Sequence, residues 1–184
     1  MSGEHTFIGL PLPDKVRSLL VTKQEQLNVF EHFKRCTHID DFHITLAFLG
    51  GVSDEGRDRL DHQIRKIAEQ MSPFSLTLSH VGIFGSVSEP RVVWGGIEEQ
   101  AALNDLHQQV QTMLQNEGYS VDKRPFRPHI TLAKKNKRSS SSFAIDRQNL
   151  TLEPMTWNVE NVCIFTVSPT KEPMYKKVSN ISIK

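Results

Sequence analysis

The sequence predicts an α+β fold with antiparallel sheets, and two observations predict it. A five-residue word that reads as a β-strand occurs twice, as His43-Ile44-Thr45-Leu46-Ala47 and as His129-Ile130-Thr131-Leu132-Ala133. Around the two copies, runs with helical three-four spacing alternate with strand-like runs, and the strand-to-strand links are too short for regular parallel crossovers. The repeat is not an accident of composition, since roughly 17,000 position pairs compete against about 3.2 million possible five-residue words.

Side chains along a strand point alternately to its two faces. In the first copy Phe42, Ile44, Leu46 and Phe48 share an apolar face that should be buried, while His43 and Thr45 project from the other. In the second copy Ile130 and Leu132 go inward, and Arg127, His129 and Thr131 line up outward. Each strand thus displays an imidazole beside a hydroxyl. An internally duplicated fold can bring two such strands face to face across one cleft.

The other elements follow in order. Thr6 to Leu10 is a first strand, and Asp14 caps a helix with Val16, Leu19, Leu20 and Leu27 on one side, fading near Phe33. The first repeated strand ends at Gly50-Gly51. Ser53 and Asp54 start a second helix, with Leu60, Ile64, Ile67, Ala68 and Met71 as its buried stripe and Ser72-Pro73 as its stop. Phe74 to Phe84 alternates as a strand, and Arg91 to Trp94 is a short one. Glu98 to Glu117 is a third helix closed by Gly118, with Leu103, Leu106, Val110, Met113 and Leu114 inward. Arg124 to Ala133 holds the second repeated strand, Lys134 to Ser142 is a basic then serine-rich loop, and Thr151-Leu152, Val159–Val167 and Tyr175–Ile183 close the sheets.

No linker divides the 184 residues, so residues 1–184 are expected to form one domain of two intimately packed lobes. A hydrophobic fraction of 38% and a net charge of +1 fit an ordinary soluble protein and argue against a general polyanion binder, so any nucleic-acid contact must be local. Cys36 and Cys163 form no spacing motif and are expected to be reduced. No long apolar run or signal-peptide pattern is present, which points to a cytoplasmic protein with no membrane partner. A monomer is expected.

Two histidines flanking a cleft can divide proton work, one accepting from attacking water and one donating to a leaving oxygen. Threonine hydroxyls and nearby cations would hold the non-bridging oxygens of a phosphodiester. Neither strand carries an acidic cluster with metal-ligand spacing, so no metal or other cofactor is expected.

These motifs resemble the two-histidine phosphoesterase superfamily, with its paired His-x-Thr-x signatures, and within it the bacterial and archaeal RNA 2′,3′-cyclic phosphodiesterase branch, also called 2′-5′ RNA ligase-like. Similar segments include Phe7 to Pro11, Phe42 to Gly50, Arg91 to Trp94 and Arg124 to Leu132, in an order that spans nearly the whole chain. The resemblance implies a bilobal, pseudo-two-fold arrangement of two antiparallel sheets with the active groove between the lobes. It also implies hydrolysis of a terminal 2′,3′-cyclic phosphate, on RNA ends or cyclic nucleotides, to a 2′-phosphomonoester. The alternatives keep the site and change the substrate: 2′-5′ RNA ligation, or opening of ADP-ribose cyclic phosphate. By the same resemblance His43 matches the proton donor, His129 the proton acceptor, and Thr45 and Thr131 the phosphate-binding threonines; the repeat itself makes the histidines equivalent.

Lys134 stands where a basic residue is typical of the family, yet strict alternation turns it away from Thr131; a strand end or bulge after Ala133 would reconcile the two. Arg127 is read equally as a substrate contact or as surface charge, and Arg91 first as an edge-strand charge and second as a side chain reaching the cleft. Lys134, Lys135, Lys137 and Arg138 read first as a solvated loop and second as an attractor of RNA backbone. Phe7 and Phe48 are expected to pack in the core rather than stack on a base. His32, Cys36 and His38 match no zinc spacing, and His5, His62, His80 and His107 read as surface residues.

Overall fold

Two antiparallel sheets and four helices make up the computed structural model, which describes residues 3–86, 88–137 and 150–184. The strands are β1 (Glu4–Pro11), β2 (Phe33–Cys36), β3 (His43–Val52), β4 (Phe74–Gly85), β5 (Pro90–Ile97), β6 (His129–Asn136), β7 (Thr151–Val159), β8 (Asn161–Val167) and β9 (Tyr175–Ser182). The helices are α1 (Asp14–Gln26), α2 (Val29–His32), α3 (Asp54–Ala68) and α4 (Ala101–Asn116). One sheet has the order β3-β1-β8-β9 and the other β2-β6-β5-β4-β7, so each copy of the repeated word lies in a different sheet. The first sheet combines strands from both ends of the chain, so the lobes are not the two sequence halves.

The expected α+β class with antiparallel sheets is what the chain forms. Ser53 caps α3 by accepting from the Gly56 N–H at 3.2 Å, and Gly118, at φ +82°, follows α4. Several boundaries differ. Asp14 lies inside α1 and Pro13 precedes it without a side-chain cap. The helix breaks at Leu27-Asn28, where Asn28 takes a left-handed conformation, and Phe33–Cys36 becomes a strand that the sequence pattern hides. β6 begins at His129 rather than Arg124 and continues through Asn136, so Lys134 to Asn136 are strand and not loop; residues 138–149, with Arg138 and the serines, lie outside the described residues. β7 is continuous from Thr151, and the break to β8 falls at Glu160.

Each sheet turns one face to helices and the other to a groove. α3 packs on β8 and β9, α4 on β3 and α3, and α1 on β6. Ile44, Leu46, Ile130 and Leu132 belong to the same buried core as Leu20, Leu60, Leu106 and Val110.

Both repeated strands are bulged at the same letter of the word. Ile8 pairs with Ala47 and Gly9 with Thr45, which leaves Leu46 without a partner in β1; Val93 pairs with Ala133 and Trp94 with Thr131, which leaves out Leu132. One extra residue reverses the alternation beyond it. Leu46 and Ala47 are consecutive buried residues, as are Leu132 and Ala133. Phe48 and Lys134 therefore emerge on the groove face beside Thr45 and Thr131. The expected bulge exists, one residue earlier than after Ala133. It also overturns the core placement of Phe48, which is 65% exposed.

A buried glutamine satisfies the carbonyl at each bulge. Gln111 of α4 donates Nε2–H to the Leu46 carbonyl at 3.2 Å, and Gln24 of α1 donates to the Leu132 and Thr37 carbonyls, both at 2.9 Å. The Leu132 carbonyl also accepts from the Thr37 N–H at 2.9 Å, so Gln24 is one of its two donors; weakening or unpairing a buried carbonyl costs about 0.5–3 kcal/mol. Gln24→Leu and Gln111→Leu should each lower the urea-unfolding free energy by about that amount; unchanged stability in both would show that the bulges do not need their helix partners.

Candidate active site

The residues before each repeated strand decide how its histidine sits. His43 Nδ1 lies 2.7 Å from the Asp41 carbonyl, and His129 Nδ1 lies 2.8 Å from the Arg127 carbonyl, two residues upstream in both copies. A carbonyl only accepts, so both Nδ1 atoms carry a proton, and in the neutral form of each ring Nε2 is the acceptor. Thr45 then donates its hydroxyl to His43 Nε2 at 2.9 Å. Arg127 is thus outside the strand on whose outer face the alternation put it: its carbonyl orients His129, and its exposed side chain stands at the groove wall.

Aromatic rings fix each imidazole from below. His43 lies 4.6 Å from the Phe7 ring and edge-on to Tyr175 at 5.1 Å, with Phe165 at 5.9 Å. Phe7, fully buried, belongs to a small second cluster with Cys163 and Phe165, separate from the main core. His129 meets Phe84 edge-on at 5.4 Å and Trp94 at 6.1 Å. Trp94 lies over Gly82, where a Cβ would fall 2.3 Å from the indole, so only glycine admits the ring there.

The two sheets enclose a groove of about 1790 Å³ lined by His43, Thr45, Arg127, His129, Thr131 and Lys134 together. Arg91 also lines it, but from β5, an interior strand, so it is no edge charge. Phe48 and Phe30 bring exposed aromatic surface to the wall. His107, read as a surface residue, stacks on Phe126 at 3.8 Å within the lining. His80 does stay exposed, edge-on to Trp94. Cys36 donates its thiol to the Val29 carbonyl, and His38 accepts from the Asp40 N–H. Of the basic run, Lys137 is tied to the Phe30 carbonyl at 3.0 Å.

Asp41 escaped the sequence reading. Its buried carboxylate accepts from the Met174 and Tyr175 N–H groups at 2.8 and 2.9 Å, while its carbonyl holds His43. One residue therefore ties the β8–β9 connection to the first motif. The only hint in the sequence is an acid two residues before the histidine.

Electrostatics act strongly on the first motif. Burial pushes His43 down from its ordinary 6.5 to about 4; the bond to the Asp41 carbonyl and the Asp41 charge oppose this, and His129 and Lys134 across the groove reinforce it. Burial likewise lowers Lys134, helped by Arg35 and Lys135, and raises the Tyr175 hydroxyl.

Comparison with known proteins gives a consistent result. Residues 26–168 match the family model of the 2′-5′ RNA ligase superfamily. The RNA 2′,3′-cyclic phosphodiesterase of Geobacillus stearothermophilus is 31% identical over 179 residues, which is 97% of this chain; the chain spans 57% of that protein's length. The RNA 2′,3′-cyclic phosphodiesterase of Bacillus subtilis is 32% identical over 133 residues, covering 71% of each. Among solved structures, Escherichia coli LigT complexed with 3′-AMP superposes with a TM-score of 0.77 at 25% identity, covering 98% of both chains.

The His43 result sets a pH dependence. Unfolded His43 takes up a proton below about 6.5, whereas folded His43 does so only below about 4, so stability is lost as pH falls between the two values. That contribution is on the order of 3 kcal/mol. Urea-unfolding free energies from pH 7.5 to 4.5 should fall more steeply in the wild type than in His43→Gln; parallel curves would refute the burial effect.

Proposed function

Since the chain belongs to the 2′-5′ RNA ligase superfamily, we propose that its groove hydrolyses a ribonucleotide 2′,3′-cyclic phosphate to a 2′-phosphomonoester, by histidine acid–base catalysis without a metal. The observation that carries this reading is the pair of Nδ1-tethered imidazoles, one from each sheet, lining one groove with a threonine hydroxyl beside each. The relatives named RNA 2′,3′-cyclic phosphodiesterases and the nucleotide bound to LigT support the substrate class.

His129 Nε2 accepts a proton from the attacking water, whose oxygen forms the new bond to phosphorus. The bond from phosphorus to the ribose 3′-oxygen breaks, and that oxygen takes a proton from His43 Nε2. Thr45, Thr131 and the ammonium of Lys134 hold the non-bridging oxygens as negative charge builds. Arg127, at the groove wall, meets the same anion or its ribose.

In the empty groove His43 is neutral at pH 7, which is the wrong form for an acid. The phosphodiester anion corrects this, because a negative charge in contact with the half-buried ring favours imidazolium. Thr45, which donates to the neutral Nε2, is then released to turn its hydroxyl to the phosphate. The substrate thus installs the proton that its own leaving group needs.

The groove requires no bound cation for these steps, since the acid, the base and the anion-binding donors are all side chains. The alternatives, 2′-5′ ligation or attack on ADP-ribose cyclic phosphate, use the same groups on another nucleotide.

His43→Ala and His129→Ala should each reduce turnover of a 2′,3′-cyclic-phosphate substrate by about 10²–10⁴ while the fold is kept. Phosphorus NMR should show the 2′-phosphomonoester as product, in EDTA as in its absence. Full turnover in the double variant would end the proposal, and a 3′-phosphomonoester product would reverse the assignment of the leaving oxygen.

A further inference from the structure

The short strand β2 places a second cation beside Lys134. Arg35 and Lys134 are direct cross-strand partners at the point where β2 borders β6, and both line the groove. Like charges directly opposite on one sheet face are destabilising. Nothing relieves this pair: among the described residues neither has a carboxylate within ion-pair distance, and Arg35 is exposed. The nearby acid Asp41 has its carboxylate committed to two backbone N–H groups.

The pair also has a definite place relative to the reacting centre. After the bulge Lys134 is the next groove-facing residue beyond Thr131, one outward step along a strand or roughly 6.5–7 Å. Arg35 stands one strand further out, within electrostatic range of the Tyr175 hydroxyl, whose ring packs on His43. The cations therefore extend the row of anion-binding groups beyond Thr131, across the end of β6 onto β2. The groove, at about 1790 Å³, is larger than the roughly 300–1,000 Å³ of a small-ligand pocket.

We propose that Arg35 and Lys134 form a second phosphate subsite, which binds the 5′-linked phosphodiester joining the cyclic-phosphate nucleotide to the preceding nucleotide of an RNA strand. This rests on the hydrolytic reading of the groove and narrows its substrate to RNA ends rather than free cyclic mononucleotides. A guanidinium grips two oxygens of such a phosphate with parallel N–H donors, and Lys134 serves both phosphates as a shared charge. The anion removes the like-charge cost that the empty sheet carries.

Three substrates test it: uridine 2′,3′-cyclic phosphate, the corresponding uridylyl-uridine 2′,3′-cyclic phosphate, and that dinucleotide with a neutral methylphosphonate linkage. The wild type should favour the charged dinucleotide over both others by about tenfold or more in kcat/KM, chiefly through KM. The preference over the methylphosphonate should fall towards unity in Arg35→Gln and be kept in part by Arg35→Lys. Circular dichroism checks that the variants fold, which the exposed position of Arg35 favours.

Equal rates on charged and neutral linkages in the wild type would overturn the subsite, as would a preference that survives Arg35→Gln. Either result leaves hydrolysis of the cyclic phosphate standing. No turnover of any of the three would remove that reading and the subsite with it.

Discussion

The site rests on a tether made twice: an imidazole Nδ1–H held by the carbonyl two residues upstream. That bond fixes which nitrogen is free and where it points, and no charged partner is needed to do so. An Asp or Glu behind a histidine would raise its basicity; a carbonyl orients it with less effect on its charge. Both rings can then be tuned by their surroundings. The aromatic bed of Phe7, Phe165 and Tyr175 under His43 does this, by excluding water from the charged form.

Behind the tether stands a second duplicated device. Each repeated strand is bulged at its leucine, and each bulge carbonyl is met by a buried glutamine from a helix, Gln24 in one sheet and Gln111 in the other. The bulge carries one more position onto the groove face, and there the copies diverge. Phe48 occupies it in the first and Lys134 in the second. A symmetric scaffold thereby acquires an aromatic end and a cationic end.

Much of this was legible in the residues. The repeated word located both histidines and both threonines, because five identical positions carry information that periodicity alone does not. Alternation placed Ile44 and Ile130 correctly in the core. It failed at Phe48, where a bulge reverses the parity and leaves no mark in a run of apolar residues; at Lys134 the mismatch between strict alternation and a basic groove residue itself pointed to a bulge near Ala133. β2 was missed since Phe33 to Cys36 is four residues long, follows a helix and shows no alternation. Arg35 went unnoticed with it. Gln24 and Gln111 sat on helical stripes as polar exceptions, and Asp41 acts through atoms whose partners lie more than a hundred residues away.

The most direct test observes the four ring nitrogens of His43 and His129 by ¹⁵N NMR, before and after adding a uridine–vanadate complex as a mimic of the five-coordinate phosphorus. In the unliganded protein each ring, in its neutral form, should show a protonated Nδ1 and an unprotonated Nε2. With the mimic, both Nε2 resonances should move at one stoichiometry, that of His43 towards imidazolium. A ring found with its proton on Nε2 in the empty protein, or a mimic that shifts one histidine and leaves the other untouched, would contradict the two-sided grip on a single phosphorus.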